Sequence, residues 1–519
     1  MTTTFCRSFA LGRLFCIASA LMLTVQSAAT LIAADEAQSK PFFAGFAERD
    51  ITPEIGMEQP GGYGKSFHRS LHDPCKVRAA VFTDGDKRVA IVGLDALFVM
   101  RVTVEKAREA IHAACGIEPG SILISASHSH SSGPIGMILP GDFDHASDLV
   151  QELAYEKSSC ADPKYLKIVE KAIVDAVVEA DAKKAPSACG VGRGHEAEVS
   201  FNRRFRMRSG RSETHPRQGN PNIIEPAGPI DPEVLVLGAW NESGELIGCI
   251  VNFACHATTN PGGISANYIY YIERAVRGVF GDDVVVVFQA APSGDVTQVD
   301  NLSPFALPRG EDAARIVGGS VGAEAVKALL KMPRGALSPI ASRSVMLDIP
   351  RRVPSPEHVQ QAFEIVAQDP RVVGTTEWTF AKETVLLDAR LKVEPIARVE
   401  IQAIQLGPVV FLSDPAEYFV EFGLRQKAES GFQFTFPVCL ASGCVGYVPT
   451  GEALGPRGGG YETRLTSYSN LEVAAGDKIC EAGLKLAHQL KPGPLPTFPP
   501  APEFSGEGWT YGNLPAQVD

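Results

Sequence analysis

The chain has 519 residues, 45% hydrophobic and 21% charged, with 60 acidic against 48 basic side chains and a net charge of −12. This composition excludes wholesale disorder, and the acidic balance excludes a nucleic-acid binder that works through phosphate contacts. Eleven cysteines are too few for a disulfide scaffold, and without a CxxC pair a cysteine-built zinc site is not expected.

Arg7 and Arg13 precede an apolar run from Leu14 to Val25, followed by Ser27-Ala28-Ala29 and Ile32-Ala33-Ala34. The run is too short to span a bilayer of about 30 Å. A basic start, a short apolar core and small residues predict a secretory signal over 1–34 and a secreted or periplasmic protein. Cys6 and Cys16 fall inside it, and the remaining nine are an odd number. At least one thiol is then left free or paired outside the chain. Cys439 with Cys444, and Cys249 near Cys255, stand close in sequence, but spacing does not fix a pairing. No later stretch is long and apolar enough to cross a membrane. No basic amphipathic helix marks an interfacial anchor, so any membrane contact is at most peripheral.

Further along, Val77–Phe82 and Arg88–Leu94 read as a hairpin turning at Thr83-Asp84-Gly85-Asp86. Helical periodicity runs from Val102 to Cys115, and Ile122-Leu123-Ile124 has the pattern of a short buried strand. The polar stretch 139–164 predicts a surface loop or short helices. A second hairpin occupies 233–256, turning at Asn241-Glu242-Ser243-Gly244. Asp283–Phe288 is Val-rich on both faces, as a central strand would be. Helices are predicted over Arg315–Leu330, Pro356–Gln368, Pro415–Ala428 and Leu471–Leu490, with a hairpin over 399–414 turning at Leu406-Gly407. The tail 491–519 is proline-rich and extended. Alternating helices and tightly turned strands predict an α/β (α+β) fold, a mixed β-sheet core flanked by helices. The domain would run over 35–490, with no solenoid-period repeat.

There is no HExxH, Walker A or GxSxG. The strongest local signal is Ser125-Ala126-Ser127-His128-Ser129-His130-Ser131-Ser132-Gly133-Pro134, just past a buried strand. On extended backbone His128 and His130 share one side. Two imidazoles at a strand end can bind a metal, or one can ligate while the other donates hydrogen bonds; a solvated polar loop is the plain alternative. His256 follows the strand Ile247–Ala254, where a lone histidine is more often structural. Glu417 in Asp414-Pro415-Ala416-Glu417 suits the first turn of a helix or a ligand aimed at a strand-end cleft. Tyr447 reads as a packing residue. Tyr461, after Gly458-Gly459-Gly460, belongs to a lid or a solvated loop. Asp295 and Thr297 lie just past the Val-rich strand, where turn residues and site residues both occur.

Taken in order, these islands resemble the neutral/alkaline, non-lysosomal ceramidase family. The match runs through Asp50-Ile51-Thr52-Pro53, Gly61-Gly62-Tyr63-Gly64, His72-Asp73-Pro74, the His128 run, Asn202-Arg203 and Asp231-Pro232-Glu233. It continues through His256, Gly294-Asp295-Val296, Pro415-Ala416-Glu417 and Tyr447-Val448-Pro449-Thr450, covering most of 42–490. The resemblance implies a zinc enzyme that hydrolyses the N-acyl amide of ceramide. It implies His128, His256, Glu417 and Tyr447 as metal ligands, at strand ends. It implies His130 as a second histidine bonding substrate or oxyanion, and a catalytic set that adds Asp295, Thr297, Tyr461 and Arg203. Zinc would supply a nucleophile near neutral pH.

The chain also departs from the family pattern. Thr297 stands where the family has serine, Asn267 where it has aspartate, and Arg204 where it usually has serine. No counterpart of the family's C-terminal immunoglobulin-like domain is expected after the last helix. Three functional readings follow: an exported zinc amidohydrolase acting on ceramide or another N-acyl lipid, a zinc hydrolase of another small amide or ester, and an inactive extracytoplasmic binding relative.

Overall fold

The structure is a computed structural model and describes residues 41–506, 508–509, 511 and 515–518. The predicted signal segment lies outside them. Three sheets dominate the described residues, two of four strands and one of four strands edged by the short pairing of Ala185–Pro186, and they share one connectivity.

In the first, β1 (Phe43–Asp50), β2 (Lys76–Thr83) and β3 (Arg88–Leu94) form an antiparallel meander. Helix α1 (Arg101–Cys115) then crosses over to β4 (Ile122–Ala126), which pairs parallel with β3. Helix α2 (Pro163–Ala182) packs back on the sheet. Asp162 opens it by accepting from the backbone N–H of Lys164 and Tyr165, with Pro163 at the first helical position.

The second sheet repeats the order. β5 (Ala188–His195), β6 (Glu233–Trp240) and β7 (Leu246–Phe253) are antiparallel, α3 (Tyr268–Phe280) crosses over, and β8 (Val285–Ala290) lies parallel to β7. Helix α4 (Gly310–Lys331) covers it.

The third does so again with an insertion. β9 (Ile340–Pro350) is followed by α5 (Pro356–Val366) and α6 (Thr375–Leu391) before β10 (Ile396–Leu406) and β11 (Val409–Ser413) complete the meander. A two-residue strand, β12 (Glu417–Tyr418), precedes α7 (Val420–Glu429), and β13 (Phe434–Val438) pairs parallel with β11. β14 (Tyr447–Val448) pairs parallel with β12, and α8 (Ala475–Ala487) closes the unit.

The sheets bury one face against each other and the other under helices. Phe46 and Phe82 of the first, Leu235 and Ile250 of the second, and Phe411 and Phe436 of the third belong to one apolar cluster. Their sequence neighbours, such as Ala47, Val236 and Val410, belong to the cluster shared with the helices, as period-two alternation requires. The first two sheets approach closely at Gly93, where a Cβ would lie 2.4 Å from the Phe288 carbonyl oxygen. Buried ion pairs also cross between units. Arg78 of β2 meets Asp95 at 2.7 Å and Glu273 of α3 at 2.9 Å, and Arg108 of α1 meets Glu400 of β10 at 2.8 Å.

The mixed α/β architecture is as expected, and all three predicted hairpins form. Four local readings change. Residues 139–164 are not a plain surface loop: Phe143, Val150 and Leu153 are buried and pack on Ala381 and Val385 of α6. β8 is a sheet margin rather than a central strand, bonded only to β7; its apolar character comes from helices on one face and the other sheets on the opposite one. The helix expected from Pro415 begins at Val420, because 417–418 are drawn into the β12–β14 pair. The last helix starts at Ala475, since Leu471 is bridged to Arg351. All nine described cysteines are free thiols; the Cys439 thiol bonds the Ala291 carbonyl and Cys444 the Tyr468 hydroxyl.

Candidate functional site

In each unit the carboxyl ends of the two parallel strands emit loops toward one place, where sites gather in sheets with parallel strands. His128 follows β4, His256 follows β7, Glu417 follows β11 and Tyr447 follows β13. The first unit contributes a histidine from its fourth strand, the second a histidine from its third, and the third unit both remaining groups. The β12–β14 register sets Glu417 directly beside Tyr447.

His128 and His130 do come together, but not on extended backbone. His128 has φ +64°, and the loop is tied by its own serines: Ser129 Oγ donates to the Ser265 carbonyl and Ser132 Oγ to that of Ser129, both at 2.8 Å. The His128 Nδ1–H is given to the Leu97 carbonyl at 2.8 Å, and the His256 Nδ1–H to the Ser293 carbonyl at 2.7 Å. Such outer hydrogen bonds fix the ring and direct Nε2 inward. The two Nε2 atoms lie 3.1 Å apart, and His130 Nε2 lies 3.2 Å from that of His128. Glu417 Oε2 sits 3.2 Å from His128 Nε2 and 3.1 Å from His256 Nε2, while Oε1 accepts from the Tyr468 hydroxyl at 2.7 Å.

Burial pushes the His256 pKa down to about 3, and burial with the flanking imidazoles holds His130 well below the usual histidine value. Burial alone would raise the Glu417 carboxyl, but the facing His128 and His256 rings hold it well below the carboxylate range. The centre therefore gathers nitrogen lone pairs around a carboxylate oxygen that has no hydrogen-bond partner. One proton cannot satisfy all of these acceptors. A divalent cation can, and the ligand atoms of His128, His130 and His256 lie within 4.8 Å of one another. The donor set fits a metal of the kind that takes imidazole nitrogen and carboxylate oxygen.

Tyr447 lies against this centre with its ring parallel to that of His256, 6.5 Å away. Its hydroxyl is 3.1 Å from that of Tyr461 and accepts from Arg203 Nη2 at 3.2 Å. Burial, then the Glu417 charge, raises its pKa well above the ordinary tyrosine value. Arg203 is itself buried, paired with Glu462 at 2.9 Å, and lies over both tyrosine rings. Tyr461 belongs to a fixed wall rather than a solvated loop.

Asp295 and Thr297 are turned to other partners. Asp295 accepts from Asn202 at 2.8 Å and from the backbone N–H of Val420 at 2.9 Å, which places its charge at the start of α7. The Thr297 hydroxyl donates to Gln298 Oε1 at 2.7 Å. Neither lines the cavity beside the imidazoles, which is bounded by Tyr63, Phe98, Met137, Tyr461 and Tyr468 as well as His130. Tyr468, which orients Glu417, and Tyr63 and Met137, which shape the cavity, were not singled out by sequence. Only the Gly61-Gly62-Tyr63-Gly64 island marked any of them, and it marked a segment rather than a role.

The chain matches no family model. Over 340 residues it is 24% identical to the neutral ceramidase of Pseudomonas aeruginosa, across 62% of this chain and 47% of that protein. It thus spans about half the length of the curated relative it matches. The crystal structure of neutral ceramidase from Pseudomonas aeruginosa superposes with a TM-score of 0.63 at 20% identity, covering 89% of this chain and 76% of that one. A ceramidase complexed with C2 gives 0.63 at 19% identity, over 89% and 77%. The resemblance carried by the sequence islands is therefore met in sequence and in fold.

Proposed function

We propose that the chain is an exported, zinc-dependent amidohydrolase that cleaves the N-acyl amide bond of ceramide or a related N-acyl lipid. The observation that carries this reading is the convergence of His128, His256 and an unbonded Glu417 oxygen beside an aromatic-walled cavity. The likeness to neutral ceramidases supports the reaction class.

His128, His256 and Glu417 would hold the metal, with Tyr447 alongside as a weak and displaceable fourth ligand, consistent with its raised pKa. When bound, zinc supplies Lewis acidity and a nucleophile available near neutral pH. The chain's own residues do the rest. The neutral His130 ring, beside His128 Nε2, is placed to take a proton from the attacking water and return it to the leaving nitrogen. Arg203 holds the Tyr447 and Tyr461 hydroxyls where they can donate to negative charge developing on the carbonyl oxygen. Leu97, Phe98 and Met137 give the cavity its apolar side.

The test is a panel of N-acyl amides measured with and without chelator, alongside metal analysis. One zinc per chain, chelator-sensitive turnover and loss of both in His128→Ala uphold the reading. Zinc without turnover of any N-acyl substrate defeats it. Export is tested by N-terminal sequencing of the mature protein, expected to begin after Ala34.

A further inference from the structure

The cavity beside the imidazoles has a volume of about 180 Å³, below the roughly 300–1,000 Å³ of pockets that enclose drug-sized ligands. Leu97, Phe98, Met137 and Tyr63 line it beside the metal-binding set, and Met137 and Tyr63 are tied to elements outside the repeated unit. Met137 adjoins Ile138, which is buried in the apolar cluster that the 138–160 segment forms with α5 and α6. The Tyr63 ring lies 5.7 Å from that of Phe380 on α6, and its carbonyl accepts from Lys382 Nζ at 2.6 Å. Lys382 is only 1% exposed and is held in turn by Glu383 at 2.9 Å. On the inner side Gln59 Nε2 donates to the His130 carbonyl at 2.9 Å. The strap that carries Tyr63 is thus anchored at both ends.

Among the phenols that line the cavity, Tyr468 is committed to Glu417 and Tyr461 to Tyr447, while the buried Tyr63 hydroxyl has no partner. A hydroxylated chain pushed against Leu97, Phe98 and Met137 would find only the Tyr63 hydroxyl to pair with and would bury its other hydroxyls without partners. An apolar acyl group would not.

We propose that this cavity receives the acyl side of the scissile amide and admits only a short acyl group, acetyl to butyryl, with Met137 and Tyr63 as the chain-length stop. The amine side, with any long hydrocarbon, stays at the mouth. The inference rests on the hydrolase reading above. In the reaction, water adds its oxygen to the carbonyl carbon, the C–N bond breaks, and a proton passes to the leaving nitrogen. The products are a short carboxylate and a free amine.

The experiment compares kcat/KM of the zinc-loaded full chain for one amine carrying acetyl, butyryl, octanoyl or palmitoyl. A fall of at least about tenfold from butyryl to octanoyl is expected, since a filled apolar pocket discriminates by that much or more per methylene. Met137→Ala and Tyr63→Ala, each checked for folding by circular dichroism melting, should raise the octanoyl-to-butyryl ratio by about the same factor. Octanoyl or palmitoyl turned over as well as butyryl overturns the proposal, as does an unchanged ratio in both folded variants. If no amide is turned over, the hydrolase reading falls and calorimetry with free carboxylates decides this one. Butyrate bound tighter than octanoate upholds it, and the reverse overturns it.

Discussion

A buried imidazole that gives its Nδ1–H to a carbonyl can offer only Nε2 inward, and this chain does so twice. The Leu97 and Ser293 carbonyls are therefore as much a part of the centre as the rings they hold. Tyr468 does the same for Glu417, leaving one carboxylate oxygen free to face the imidazoles. Tyr468→Phe is expected to weaken zinc binding about 10–100-fold, as loss of an outer hydrogen bond typically does. Chelator competition measures it, and excess zinc should restore turnover, which a merely collapsed site would not allow. Glu417→Gln removes the anion itself and should lower zinc affinity at least about tenfold with little change in the melting curve. Unaltered affinity in both variants would contradict the assigned geometry.

At the level of elements, short pairings decide where the chemistry sits. Two residues of β12 against two of β14 bring Glu417 beside Tyr447 and delay the following helix to Val420. Asp295, from another unit, caps that helix. Asp295→Ala leaves the Val420 N–H and the Asn202 amide without their partner and should cost about 1–3 kcal/mol, read from the urea midpoint. The strap is equally confined. Gly61 has φ +105° and a Cβ there would lie 2.3 Å from His130 Nδ1. Gly61→Ala should displace the ring, and a displacement of about 1 Å costs on the order of 10²-fold in turnover. Metal content should be unchanged. Normal kcat/KM in that variant would show that the strap does not position His130.

Across the whole molecule, three units of the same βββαβ order are locked by buried charge. Arg78 is 2% exposed and is balanced by Asp95 and Glu273. Burial opposes ionisation of Glu273, but Arg78 and Lys76 bring its pKa down from 4.5 to about 2. That depressed carboxyl contributes stability above pH 4.5 that is lost as the pH falls toward 2. Asp95 has the opposite sign. Burial, which Arg78 only partly offsets, raises it from 3.8 to about 6, so acidifying from pH 6 to 3.8 relieves a penalty of the same order as the Glu273 contribution. Urea midpoints followed against pH should therefore rise as the pH falls from 6 toward 4.5 and turn downward below it, as the Glu273 contribution is lost. Glu273→Gln leaves Arg78 without half its counter-charge and should cost about 3 kcal/mol or more while flattening the acid limb. A variant as stable as the parent, with the same acid limb, would remove this network from the account of stability.

Periodicity and turn chemistry were enough to place the three predicted hairpins, α1 and the short strand before His128, because those signals are local. The histidines and Glu417 could be marked as candidates because polar residues directly after apolar strands are recognisable in a one-dimensional string, whereas Tyr447 joined them only through the family resemblance. The threefold repetition of connectivity was not legible, since it lies in strand order and leaves no sequence period. Nor was α6, whose buried Lys382 and Glu383 interrupt any apolar stripe. Residue types and their order along the chain were determined by sequence alone. Which side chains converge, how small the cavity beside them is, and that Asp295 and Thr297 turn elsewhere were decided by tertiary structure, because each depends on contacts between units far apart in the chain.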